Sequence, residues 1–183
     1  ATISATASAV SITSSNANTG GTITSDGGAA ITSRGVVYGT SSGSATFSIT
    51  SGTGTGTYTI SLTGLTPATT YFVRSFATNS VGTVYGTETN FVTLAVAPTL
   101  TTSAASSNTK YAASAGGTIT SNGGSTITAS GICWSTTATP TISDNKTTDG
   151  TTSGTFTSTI TGLTAGTTYF VRAYATNAIG TSY

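Results

Sequence analysis

Short stretches in which apolar and polar residues alternate fill this chain, and glycine-rich breaks separate them about every ten residues. In the first half the alternation predicts strands over Ile3–Ile12, Thr19–Thr24, Ile31–Tyr38, Thr46–Thr50, Thr57–Leu62, Thr70–Asn79 and Thr83–Thr93. Asp26-Gly27-Gly28 and Ser80-Val81-Gly82 carry turn chemistry, because glycine reaches positive φ without steric cost. No convincing helical period runs through any comparable stretch. Short strands at this spacing predict an all-β sandwich.

The pattern then starts again. Gly20–Gly35 (GGTITSDGGAAITSRG) returns as Gly116–Gly131 (GGTITSNGGSTITASG), and Gly64–Tyr85 returns as Gly162–Tyr183 with 15 of 22 residues unchanged. The offset is 96 residues early in the unit and 98 late, so the second copy gains two residues between the counterparts of Tyr38 and Gly64. A period of this length is too long for a solenoid repeat and suits a whole small domain. Two tandem sandwiches are expected, over 1–97 and 98–183, with Ala97-Pro98 as the linker.

Composition then restricts the function. Ser and Thr make up roughly two in five residues, while charged residues are 5% of the chain and its net charge is +1. The few charges are scattered, so no basic patch exists for phosphate, and nucleic-acid binding is not expected. A surface of hydroxyls and amides suits a tethered, assembled or glycosylated molecule better than a freely diffusing one. With no histidine, a Ser-His-Asp or Cys-His arrangement cannot be built. The four acids leave little for general acid–base work, so no enzyme and no cofactor are expected. Gly52–Gly56 (GTGTG) lacks the Gly-Lys-Ser/Thr of a phosphate loop and reads as a hairpin connection. Cys133 is the only cysteine, which excludes an internal disulfide. It reads as a packed strand residue, with a reactive thiol as the alternative. The longest apolar-leaning run, Phe91–Leu100, is too short to span a bilayer.

Leu65, Pro67, Thr69 and Tyr71 match the L-x-P-x-T-x-Y signature of fibronectin type III domains, which the chain resembles. The second copy keeps Leu163, Thr167 and Tyr169 but has Ala165 in place of proline. The resemblance implies a tyrosine corner at Tyr71 and Tyr169, each hydroxyl bonded to nearby backbone. Departures are the missing tryptophan on the second strand, with Tyr38 and Trp134 on the third instead, and the lack of Arg-Gly-Asp. GICWST, SDNKTTDG and GLTAGTTYFVRAYATN further resemble the Thr-rich fibronectin-like repeats of secreted and surface proteins of Bacteroidetes. That likeness implies an extracellular or cell-surface bacterial setting. The implied role is non-catalytic: a fibre, stalk or filament subunit, an adhesive or carbohydrate-binding module, or a spacer in a secreted enzyme.

Three candidate sites follow. On the sixth strand of each copy, strand alternation puts Phe72, Arg74 and Phe76, and again Phe170, Arg172 and Tyr174, on the outer sheet face. This ladder is either local stacking or a contact surface for copies of the chain or for surface glycans. Asp144, Asn145 and Asp149 place oxygen ligands in one loop, a weak calcium candidate beside the plainer reading of a solvated loop. Finally, Tyr183 matches Tyr85, so the second sandwich is expected to lack its last strand. The expected donor is Ala1–Ile12 of the next subunit, with Ile3, Ala5 and Ala7 alternating toward the core in a head-to-tail polymer. A chain cut short is the plain alternative.

Overall fold

The computed structural model describes residues 1–183, which divide into two compact units, Ala1–Leu94 and Ala95–Tyr183. The division falls at Leu94 and Ala95 rather than at the expected Ala97 and Pro98. Val96 belongs with the second unit because its N–H donates to the Gly123 carbonyl at 2.8 Å and its carbonyl accepts from Asn177 Nδ2 at 2.8 Å.

Unit 1 contains β1 (Thr2–Val10), β2 (Ala17–Ser25), β3 (Ser33–Gly39), β4 (Phe47–Thr50), β5 (Gly56–Leu62), β6 (Thr70–Asn79), β7 (Gly82–Tyr85) and β8 (Thr89–Val92). One sheet has the order β1-β2-β5; the other runs β4-β3-β6-β7, with β8 also paired to β6. The two-residue period of the sequence does the sorting. In β5, Tyr58, Ile60 and Leu62 are buried while Thr57, Thr59 and Ser61 face out. Across the interior they meet Val36, Tyr71, Val73 and Ala77 from the other sheet. Burying a side chain such as Leu62 or Val73 stabilises the unit by about 1.5–3 kcal/mol each. Close approach of the sheets depends on Gly21, where an added Cβ would lie 2.6 Å from the Ser75 Cβ.

The tyrosine corners are present in both units. Tyr71 Oη accepts the Thr66 N–H at 3.0 Å, and Tyr169 Oη accepts the Thr164 N–H at 3.2 Å.

Two expectations in unit 1 are corrected. The single strand over Thr83–Thr93 is two strands, because Phe76 pairs Tyr85 and Val73 pairs Thr89. Arg74 and Ser75 therefore face Gly86, Thr87 and Glu88, and the extra residue bulges. The Ser75 carbonyl still takes the Gly86 N–H at 2.9 Å. The Ser75 N–H turns inward to Thr6 Oγ1 at 2.9 Å.

The second correction concerns Ile3, Ala5 and Ala7. Residues Thr2–Val10 form β1 of their own unit, paired to β2 from Thr2↔Ser25 to Val10↔Asn18. Register shifts on both sides of Thr6 and Ala7 break the simple alternation, so Ile3, Thr6 and Ala9 turn inward while Ala5 and Ala7 are exposed. The proposed donor strand is thus engaged at home.

Unit 2 contains β9 (Thr99–Ser106), β10 (Ala112–Ser121), β11 (Ala129–Ser135), β12 (Asn145–Lys146), β13 (Gly154–Thr161), β14 (Phe170–Thr176) and β15 (Thr181–Ser182). Its sheets, β9-β10-β13 and β12-β11-β14-β15, repeat the order of unit 1, and no sheet draws strands from both units. Gly117 stands opposite Ala173 as Gly21 stands opposite Ser75, again with a hypothetical Cβ at 2.6 Å.

The units differ at two places. Within residues 95–183 there is no strand equivalent to β8. In unit 1, Phe91 of β8 packs on Tyr71 with ring centroids 5.8 Å apart. At the corresponding place Trp134, Ile160, Leu163, Tyr169 and Val171 line a groove of about 280 Å3. Conversely, the longer β11–β12 loop of unit 2 folds inward and buries Pro140, with no counterpart in unit 1.

Candidate functional site

The outer face of β6 begins with side chains of the expected alternation. Phe72 and Arg74 are half-buried there, but Phe76 is buried, tilted against Tyr85 with centroids 6.5 Å apart. In unit 2 Phe170 is exposed and Arg172 half-buried, while Tyr174 is only 2% exposed. The Tyr174 hydroxyl donates to the Thr147 carbonyl at 2.7 Å, so the β12 region covers its ring. The ladder is therefore not an open stripe. Its inner aromatic is part of the packing in both copies.

The arginines stack on residues the sequence reading did not single out. The Arg74 guanidinium carbon lies 4.9 Å from the centroid of Tyr85, and that of Arg172 lies 4.4 Å from Tyr183. Tyr85 ends β7 and Tyr183 directly follows β15, and each places an aromatic face over the cation. The signal was present: Tyr85 and Tyr183 are an unchanged pair of the repeat.

Around Arg74 this arrangement leaves a hollow of about 290 Å3, lined by Val37, Ser44, Phe72, Arg74, Tyr85 and Glu88 among others. The bulge supplies Glu88, and the β3–β4 loop holds it. Ser42 Oγ donates to Glu88 Oε1 at 2.6 Å, and the Gly43 N–H donates to Oε2 at 2.9 Å. Gly43, at φ 71°, takes the left-handed conformation at this turn. The Ser42 hydroxyl first, then the Gly43 amide, hold the Glu88 carboxyl below its ordinary pKa, with a smaller contribution from Arg74. Arg74 Nε donates to the Gly86 carbonyl at 3.1 Å, which fixes the guanidinium and leaves its two terminal nitrogens without a protein acceptor.

Unit 2 closes the same place. Arg172 Nη1 donates to the Pro140 carbonyl at 3.3 Å, and the Ile142 N–H donates to the Tyr183 hydroxyl at 3.2 Å. Cys133, the counterpart of Val37, is fully buried beneath this loop, with its thiol 3.4 Å from the Pro140 carbonyl. Burial pushes the thiol pKa up, which keeps it protonated and unreactive.

The loop acids serve local structure. Asp144 Oδ2 accepts the Thr141 N–H at 2.8 Å. Asp149 Oδ2 accepts the Thr147 hydroxyl at 2.8 Å and also the Ser158 hydroxyl. Asn145 pairs with Trp134 at the sheet edge. The two carboxylates are thus tied to different parts of the fold.

No family model matches the chain, and no curated protein matches it. Among solved structures it is similar to the crystal structure of chicken CNTN1 FN1-FN3 domains, with a TM-score of 0.57 at 14% identity. That match covers 98% of this chain and 63% of the other, so the chain spans less than two thirds of its neighbour. The fold is that of tandem fibronectin type III-like sandwiches. At this identity the likeness speaks for the fold alone, and the Bacteroidetes setting stays an expectation from sequence. No helix of the chain is long and apolar enough to cross a membrane.

Proposed function

We propose that this chain is a non-catalytic structural module of an extracellular bacterial surface protein, built into a fibre, stalk or filament whose subunits join head to tail. The observation that supports this reading is the tandem repetition of one sandwich with the same strand order, each copy carrying the same threonine pairs on its sheets. Threonine hydroxyls pair across strands at Thr22 and Thr57 (2.9 Å) and again at Thr118 and Thr155 (3.0 Å). Thr78 and Thr83 (2.8 Å) are matched by Thr176 and Thr181 (2.8 Å). Such cross-strand pairs stabilise a sheet by about 0.2–1 kcal/mol each without using charge. They tie neighbouring strands together in a chain with few charged residues. Antibodies raised against this chain should label intact, unpermeabilised producing cells and the material sheared from them. Label that appears only after permeabilisation would overturn the surface assignment.

A second reading, an adhesive or carbohydrate-binding module, is favoured by one observation: unit 1 keeps open the hollow beside Arg74 that unit 2 fills with Pro140.

A further inference from the structure

The two units form an internal comparison at the arginine on the outer sheet face. Arg172 lies under the β11–β12 loop, where its Nη1 donates to the Pro140 carbonyl and its stacking tyrosine is capped by the Ile142 amide. Arg74 has the same stacking partner and the same strand position but no such loop over it. The result is a half-buried cation, held by its Nε, with donors facing an open hollow. Three other features converge on that hollow. Glu88 presents a carboxylate fixed at both oxygens, each of which retains acceptor capacity. Phe72 and the half-exposed Tyr85 supply apolar surface. The volume, about 290 Å3, lies at the lower end for small-molecule sites and suits a single ring-sized group.

We propose that this hollow in unit 1 binds an acidic sugar residue, of the uronate class, within a surface polysaccharide. The sugar carboxylate pairs with the terminal nitrogens of Arg74, where a planar fork meets a planar acceptor. Ring hydroxyls donate to Glu88, and the C–H face of the ring rests on Phe72. The charge balance selects this class. A phosphate dianion would bring two charges towards Glu88 where a carboxylate brings one, whereas a neutral sugar would offer the Arg74 fork hydroxyl acceptors but no countercharge. A single carboxylate on a polyhydroxylated ring uses both ends. Unit 2 has the cation but no open site, so one ligand is expected per chain. The inference rests on the adhesive reading and is independent of whether the chain lies in a fibre.

The test is titration of the isotopically labelled 183-residue chain with oligogalacturonate, followed by amide chemical shifts. The expected result is saturable shifts at Val37, Gly43, Phe72 and Glu88, at least tenfold weaker binding of neutral oligogalactose, and loss of the shifts in Arg74→Met. Arg172→Met, the matched change in unit 2, should leave binding unchanged. Because Arg74→Met removes a stacking contact, Arg74→Lys serves as the milder variant: it keeps the charge, loses the planar fork, and should weaken binding at least threefold with an otherwise unchanged spectrum. The proposal is overturned if oligogalacturonate causes no shifts at the hollow, or if Arg74→Met with a native spectrum binds as well as the parent. Tighter binding of free glycine or of inorganic phosphate at the same amides would equally overturn it. The cell-labelling result is untouched by any of these outcomes.

Discussion

Thr6 and Ser75, from opposite sheets of unit 1, are joined inside the core: Thr6 Oγ1 accepts the Ser75 N–H at 2.9 Å and lies 3.1 Å from the Ser75 hydroxyl. The Ser75 amide has no backbone partner on the neighbouring strand, and a buried N–H without a partner is costly. Unit 2 repeats the device with Thr102 Oγ1 accepting the Ala173 N–H at 3.0 Å. There the serine hydroxyl is absent, which identifies the amide rather than the hydroxyl as the group Thr6 serves.

Thr6→Val keeps the shape and removes the acceptor. It should destabilise unit 1 by about 1–3 kcal/mol. The chain's single tryptophan, Trp134, lies in unit 2, so its fluorescence transition should stay in place while an amide-exchange readout of unit 1 shifts. An unchanged Ser75 exchange rate would show that the contact is not needed.

Ala68 adopts φ 49°, a left-handed conformation, and its counterpart Gly166 has φ 69°. A side chain there costs roughly 1–2 kcal/mol of strain, offset in part by the greater freedom glycine has when unfolded. Ala68→Gly should therefore stabilise unit 1 by up to about 1 kcal/mol, seen as a higher denaturation midpoint. The reverse change, Gly166→Ala, should lower that of unit 2.

Glu88 is held below its ordinary pKa by Ser42 and Gly43. A depressed carboxyl contributes stability that is fully present above its unfolded pKa of about 4.3 and is lost as pH falls through the lower folded value. The stability difference between the parent and Glu88→Gln should therefore be constant at neutral pH and shrink below about pH 4. Denaturation midpoints of both proteins across that range provide the check.

Gly21→Ala should be among the most damaging small substitutions in unit 1. The new methyl would sit 2.6 Å from the Ser75 Cβ, so the sheets must separate. The expected loss is about 1–3 kcal/mol, measured by denaturation. Gly28→Ala, a turn position with nothing within 4 Å, supplies the comparison for backbone strain alone.

Much of this architecture was legible in sequence because strand periodicity is local. The alternation of Tyr58, Ile60 and Leu62 needs no tertiary knowledge, and the copied L-x-x-x-T-x-Y segments mark both corners. Bulges are less legible. The inward turn of Thr6 and the break between β7 and β8 arise from strand pairing far apart in the chain, which alternation does not encode. The candidate site was half visible for the same reason. Arg74 and Phe72 share a face by simple period, while Tyr85 and Glu88 reach them only through the hairpin and its bulge. Burial of Phe76 and Tyr174 depended on Tyr85 and Thr147, residues distant from them in the alternation.

The proposed role in a structural assembly at the bacterial surface is tested most directly by electron microscopy of the material sheared from producing cells. With gold-labelled antibody against unit 1, the account predicts fibres or stalks carrying label along their length. Label found only on free, unassembled particles would contradict it.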